Sequence, residues 1–216
     1  MMKNSDTRSV SALATGAARL SIACGLLFAL LLGSLHVLEP EFDPTWRFIS
    51  EYALGSVGWM MNLAFLTLAL SLISASVAIF SQARTIFGYI GLAVLGIAAI
   101  GMLIAGMFTT DPETASRGAE AATFSGTMHL IGASLDYTPL AALVLSSVLA
   151  RNPFWRPIRK QLFISAGITL VMLGAFMAVL PYDGHVGPGV LAGLFGRFLL
   201  LSYLAWLLPV DFHVLS

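Results

Sequence analysis

Long continuous apolar runs, each followed by a short polar cluster, set the pattern of this chain. A helix rises about 1.5 Å per residue, so about 20 apolar residues cover a hydrocarbon core about 30 Å thick. Six runs reach that length: 17–38, 59–81, 86–108, 124–149, 162–180 and 190–208. They do not alternate between apolar and polar positions, as the strands of an outer-membrane barrel would. Helices are the remaining way to satisfy every backbone group in lipid. The pattern predicts an all-α fold, a polytopic membrane helix bundle with about six transmembrane helices. Residues 17–212 form its single domain, behind a polar tail at 1–16.

Composition agrees. Apolar residues make up 58% of the chain and charged residues 10%, whereas a soluble domain carries roughly a quarter charged. Eleven basic and eleven acidic residues give a net charge of zero, which excludes the basic field that nucleic-acid binding needs. The lone cysteine, Cys24, lies inside the first run with no disulfide partner and no second sulfur for a metal, and reads as a packing residue. The tail with Lys3 and Arg8 ahead of an apolar run resembles a secretory signal, but the run is too long for one. An acidic segment rather than a small-residue cleavage site follows, so the run is expected to be a retained first span.

Basic residues in short loops set orientation. Lys3, Arg8, Arg19, Arg84, Arg151, Arg156, Arg159 and Lys160 fall on one side of the predicted bundle, and Arg47, Arg117 and Arg197 on the other. Both termini are therefore expected in the cytoplasm. The link 151–160, with Pro153, Phe154, Trp155 and Pro157, reads as a basic-aromatic turn resting on anionic headgroups. Acidic residues fall the other way, with Glu39, Glu41, Asp43, Glu51, Asp111, Glu113, Glu120 and Asp183 outside and Asp6 and Asp211 inside. Carboxylates contribute little to insertion, so their asymmetry calls for another reason.

The outer boundary also holds His36 at the end of the first span, His129 at the start of the fourth and His185 in the last outer loop, and the outward-going spans close on LHVLEPEFDP, MFTTDP and LPYDG. In the first outer loop, Asp43 and Pro44 read as the cap and first residue of a short amphipathic helix. Trp46, Phe48, Ile49, Tyr52 and Leu54 would rest on the membrane surface, and Gly55 and Gly58 would turn the chain into the second span. Arg47 and Glu51 are four apart, the spacing of an exposed ion pair; the alternative is that Ser50 and Glu51 point into the bundle. Asp136 lies within the fourth span, two turns below His129, where an ionisable group is costly and faces the bundle interior. Pro139 removes a helical hydrogen bond and crowds the carbonyl of Leu135, opening the helix beside that acid. In the sixth span Gly189, Gly193 and Gly196 permit a close approach by another helix. Arg197 is too deep to face water and is expected to pair with Asp136, Glu51 or Asp111, or with an anionic headgroup.

The run DPTWRFISEYALGSVGWMM, then GMFTTDP, GTMHLIGA and GLFGRFLLLSYLAWLL, resembles the bacterial and archaeal six-helix membrane family catalogued as domain of unknown function 998. The resemblance covers all six spans in order and implies membrane location, here a prokaryotic plasma (cell) membrane, and fold. Its pattern falls on Ser50, Glu51, Tyr52, Gly55, Trp59, Asp111, Pro112, His129, Gly196 and Arg197. The chain departs from it at PVDFHVLS, which lacks the basic residues usual after the last span.

Three functions suit these residues. A binding, sensing or transport protein would recognise an anionic ligand or membrane lipid headgroup through Arg197, Asp136, Tyr52, Trp59 and His36. An enzyme acting on a lipid or lipid-linked substrate would use His129, Asp111, Glu51 and Ser50 as catalytic groups. His129, Asp111 and His36 are the candidate ligands for a divalent metal such as zinc. No HExxH or GxSxG motif fixes either chemistry locally. In the third reading, a structural or assembly role, the outer polar residues only tie helices together.

Overall fold

Hydroxyl caps mark where several of the helices begin. Ser11 Oγ accepts from the Ala14 amide at 3.2 Å, Thr85 Oγ1 from Gly88 at 3.0 Å and Thr123 Oγ1 from Gly126 at 2.9 Å, each satisfying an amide that the first turn leaves without a partner. The computed structural model describes residues 11–112, 122–181 and 186–216. Within these, α1 (Ala12–Leu38), α2 (Trp59–Ile79), α3 (Ile86–Met107), α4 (Phe124–Ser134), α5 (Thr138–Leu149), α6 (Arg159–Val179) and α7 (Ala192–Leu215) follow in order. Short 3-10 helices occupy Ile49–Leu54 and Pro153–Ile158. The described residues contain no strand. Six helical units are long and apolar enough to cross a membrane, α4 and α5 together forming the fourth.

The break within that fourth unit falls where the proline predicts it. Residues 135–137 leave helical geometry, and Pro139 stands in the first turn of α5, where a missing amide hydrogen costs little. One sequence-based relationship changes as a result. His129 and Asp136 do not share a helix face, because α4 ends at Ser134 before the second turn is complete.

Consecutive spans pack against one another and α7 closes back on α1, so the helices form a ring with α2 also touching α7. Glycines set the closest crossings. A Cβ on Gly132 would sit 2.7 Å from Gly101 O, and one on Gly91 would sit 2.8 Å from Leu145 Cγ, so α3 meets both α4 and α5 through small residues. Between α1 and α2, Ser21 Oγ donates to Ser71 O at 3.0 Å and Ser71 Oγ donates to Ser21 O at 2.9 Å. Large apolar side chains cover the outside: Leu13, Val37, Ile86 and Phe124 are all more than 70% exposed. Left in water, such a surface would be unstable, whereas lipid solvates it.

The bundle has an acidic end, carrying Glu39, Glu41, Asp43, Glu51 and Asp111, and a basic end, carrying Arg84, Arg151, Arg156, Arg159 and Lys160. At the basic end the 151–160 link differs from its expected form. Its arginines are exposed, but Trp155 is fully buried, with its ring 5.0 Å from that of His213, and His213 Nε2 hydrogen-bonds Phe154 O at 2.7 Å. The tryptophan therefore holds the end of α7 rather than resting among headgroups. Helices α1 and α7 also run past the apolar limits of their spans, to Ala12 and Leu215. Lys3, Asp6, Arg8, Glu113, Arg117, Glu120, Asp183 and His185 lie outside the described residues.

Candidate functional site at the acidic end

The segment joining α1 to α2 does not form one amphipathic helix from Pro44. Residues 44–46 turn, and the six-residue 3-10 helix begins only at Ile49. The capping is local: the Thr45 amide and hydroxyl donate to Asp43 Oδ1 at 2.8 and 2.6 Å, which tightens the turn before a helix can propagate. These bonds, the hydroxyl first, hold the exposed Asp43 carboxyl below the usual aspartate range, and the positive charge of Arg197 acts in the same direction. Ile49 and Tyr52 turn into the core instead of lying on the membrane surface.

Glu51 also turns inward. It is fully buried, accepting from Arg47 Nη1 at 2.6 Å and from the Phe48 amide at 3.1 Å. The Arg47–Glu51 pair is thus part of the interior rather than an exposed surface pair, and the Arg47 guanidinium lies over the rings of Trp46 and Phe42, at 4.6 and 5.4 Å from their centroids.

Arg197 enters from α7. Gly193, one turn earlier, lets the first loop come close: a Cβ there would sit 2.8 Å from Trp46 C and 2.9 Å from Arg47 N. The small residue thus admits a loop backbone, not another helix, and the Leu194 amide donates to Thr45 O at 2.9 Å. The buried Arg197 guanidinium donates through Nη1 to Arg47 O at 2.7 Å and to Gly193 O at 3.0 Å, and through Nε to His36 Nε2 at 2.8 Å. The His36 ring nitrogen Nδ1 lies 2.7 Å from Leu32 O, so it carries the proton and leaves Nε2 as the acceptor. The Tyr52 ring lies beneath, 5.4 Å from Arg197 Cζ. Arg197 Nη2 is buried and has no hydrogen-bond partner among the described residues.

This corrects the expected carboxylate partner. Among the described residues no acidic oxygen lies within ion-pair distance of Arg197, and every group bonded to it is neutral. Asp136 is engaged elsewhere: Tyr203 OH of α7 donates to Oδ2 at 2.6 Å and Thr138 Oγ1 donates to Oδ1 at 2.7 Å, so the acid clamps the α4–α5 break to α7.

His129 and Asp111 form a separate group with α3 and α4. His129 Nδ1 lies 3.0 Å from Ala105 O and 2.9 Å from Phe108 O, so it donates to carbonyls that the end of α3 leaves free. Its ring stands edge-on to Phe65 at 5.7 Å. Asp111 accepts from the Thr123 hydroxyl at 2.6 Å and from the Thr123 amide at 3.0 Å, which fixes the start of α4. No hydrogen bond or ion pair joins His129 or Asp111 to His36, Glu51 or Ser50. Ser50 is half-buried and its side chain has no hydrogen bond among the described residues, and Trp59 is 63% exposed at the start of α2. Among the described residues no three His, Cys, Asp or Glu side chains are grouped to hold a metal. The anticipated set of His129, Asp111 and His36 is therefore divided between two clusters, because the topology brings α1 to α7 and α4 to α3.

Sequence reasoning passed over Glu39. Its carboxyl is fully buried, accepting from Val57 N at 2.7 Å and Ser56 Oγ at 3.2 Å, with Oε2 unpartnered. It occupies the space that a side chain on Gly55 would fill. An acid immediately after a span, followed by a Gly-Ser turn into the next, was the available signal.

No curated protein and no solved structure matches the chain. A family does: residues 22–211 match the family described as "Protein of unknown function (DUF998)". A match that runs from within the first span to within the last, with the acidic-end cluster inside it, places the chain in that family of multi-pass membrane proteins.

Proposed function

We propose that the acidic end recognises an anionic group, a phosphate-bearing lipid headgroup or a comparable anionic ligand, with Arg197 as its principal contact. The observation that carries this reading is the buried guanidinium itself. It has three neutral acceptors, one unpartnered nitrogen and no carboxylate in reach among the described residues. A buried cation is costly without a counter-charge, and guanidinium matches phosphate and carboxylate with paired hydrogen bonds. Arg197 lies five residues into α7, about 8 Å along the helix, a depth suited to a headgroup reached from the extracytoplasmic face of a prokaryotic plasma membrane with the N-terminus inside. His36 and Tyr52 orient the guanidinium in this reading, and sensing or transport would build on the same contact. In this reading Asp136 acts as a helix clamp through Tyr203 and Thr138, and the exposed Trp59 as an anchor at the start of α2.

The test is lipid analysis of the detergent-purified protein, combined with thermal unfolding in the presence of phosphatidylglycerol or phosphatidylcholine. Copurification of an anionic lipid, and stabilisation by phosphatidylglycerol alone, both lost in Arg197→Gln, is the expected result. Stoichiometric zinc that disappears in His129→Ala would favour the hydrolase on a lipid-linked substrate. If both variants alter stability only, the residues serve assembly.

A further inference from the structure

At the basic end of the bundle, away from the cluster just described, a groove of about 480 Å³ opens where α1 and α3 both pack on α2. Leu13 and Ala14 of α1, Val77 and Phe80 of α2 and Leu92 of α3 supply its apolar lining. Leu92 lies six residues into α3, about 9 Å along the helix, so this part of the groove reaches down among the acyl chains. Ser11, Ser81 and Arg84 line it as well, from the segments just before α1 and just after α2. One groove therefore has a hydrocarbon depth and a polar, positively charged mouth.

The turn that carries Arg84 is fixed on both sides. Gln82 Oε1 accepts from Asn152 Nδ2 at 2.9 Å, Ala83 is fully buried, and Thr85 Oγ1 caps α3 at Gly88. A Cβ on Gly88 would overlap Ala83 O, so the turn lies directly on the first turn of α3. Arg84, between these anchored neighbours, is exposed, and among the described residues no acid lies within ion-pair distance of it. Ser11 Oγ accepts from the Ala14 amide, which leaves its own proton to donate. A small anion would satisfy this mouth but leave the apolar depth uncovered, and a second copy of the chain in the same orientation would bring one basic end against another. A phospholipid matches both halves of the groove, because guanidinium pairs with phosphate through parallel hydrogen bonds while the acyl chain covers the apolar wall.

We propose that the groove between α1, α2 and α3 is a binding site for an anionic phospholipid of the leaflet at the basic end, with Arg84 on its phosphate and an acyl chain along Phe80, Val77 and Leu92. The unopposed positive charge at the mouth selects a lipid of net negative charge over a zwitterionic one, whose own cation offsets the phosphate. The site is separate from the Arg197 cluster and belongs to the opposite leaflet, so neither reading depends on the other.

The experiment places the full chain in phosphatidylcholine vesicles with a minor share of phosphatidylglycerol carrying a diazirine on one acyl chain, or of phosphatidylcholine carrying the same group. Adducts formed on irradiation are mapped by peptide mass spectrometry. The peptides with Leu13, Phe80 and Leu92 should be labelled about fivefold or more by the phosphatidylglycerol, the preference that one basic side chain at a membrane surface gives. Arg84→Gln should abolish that preference, Arg84→Lys should keep part of it, and Arg197→Gln should leave it intact. A larger groove of about 690 Å³ between α6 and α7, lined by Gln161, His213 and Ser216 but by no lysine or arginine, is the internal control: its labelling should not change in Arg84→Gln. The proposal is overturned if the two lipids label the first groove equally, if the preference survives Arg84→Gln, or if the groove stays unlabelled. It is overturned as well if Arg197→Gln removes the preference, which would assign the lipid to the acidic end. An unfolded Arg84→Gln protein leaves the wild-type comparison of the two lipids and Arg84→Lys to decide.

Discussion

Arg197 Nε donates to His36 Nε2 at 2.8 Å, so the last helix is tied to the first across 161 positions of sequence by a bond between a cation and a neutral ring. The bond depends on tautomer: with the proton on Nδ1 toward Leu32 O, His36 presents a lone pair to Arg197. Replacing His36 by Leu would leave a buried charged donor unpaired, at a cost of about 2 kcal/mol. His36→Gln keeps an acceptor of similar reach and should lose less. Thermal unfolding in detergent should rank the proteins wild type, His36→Gln, His36→Leu. In a double-mutant cycle with Arg197→Gln the two losses should be strongly non-additive, with a coupling of about 1 kcal/mol or more.

Two glycines are predicted to be far less replaceable than their neighbours, for a reason unrelated to backbone angle. A Cβ on Gly55 would overlap the Glu39 carboxyl, and one on Gly126 would overlap the Asp111 carboxyl. Either alanine must push out an acid that accepts two hydrogen bonds, so Gly55→Ala and Gly126→Ala should each cost about 2 kcal/mol. Gly174, in α6, has nothing within 4 Å of a would-be Cβ, and Gly174→Ala should be neutral or stabilising by up to about 1 kcal/mol. Melting temperatures of the three variants, measured side by side, check the contrast.

These examples show where sequence was informative. The six spans were legible because lipid imposes a length on any helix that crosses it, and the break beside Asp136 was legible because Pro139 acts on its own backbone. The inward position of Glu51 was one of two open alternatives, since a spacing of four fits both an exposed and a buried pair. The partners of Arg197 and Asp136 were not legible. Which helix closes on which is decided by packing between distant segments, and hydropathy is nearly uniform around each of these helices. Asp211 was placed by the positions of charges, outside the last span. The apolar residues Phe212, Val214 and Leu215 that follow it were the sign that α7 continues and takes the acid into the interior.

Tyr203 and Asp136 give a prediction about the helix break. The phenol proton is directed at Oδ2, and Thr138 holds Oδ1, so Tyr203→Phe deprives a half-buried acid of one of its two side-chain donors without changing the packed ring. A loss of about 1 to 3 kcal/mol is expected. Asp136→Asn should cost less, because an amide oxygen still accepts from one partner while its nitrogen seeks another acceptor. Hydrogen exchange should show the damage of Tyr203→Phe first at the amides of 135–140, where the helix is already open, before any change in α2. Uniform loosening of the bundle would mean that the bond does not act as a local clamp.

Asp43 supplies the pH dependence at the site's edge. Its carboxyl titrates below the usual aspartate range because the Thr45 hydroxyl and amide bond its ionised form and Arg197 adds a favourable charge. A depressed folded pKa contributes stability that is fully present above the unfolded value, roughly pH 4, and is lost as pH falls through the folded value. The group is solvent-exposed, so its effect on global stability should be small. The sharper observable is the titration itself. In Thr45→Val the hydroxyl donor is gone and the amide remains, so carboxyl carbon NMR should show the Asp43 midpoint rising toward the ordinary value. In Arg197→Gln the midpoint should also rise, by less, since the charge acts more weakly than the hydrogen bonds. If Arg197→Gln left the midpoint unmoved while Thr45→Val raised it, the guanidinium field would not reach the rim of the acidic end, and a headgroup held there would gain no long-range attraction from Arg197.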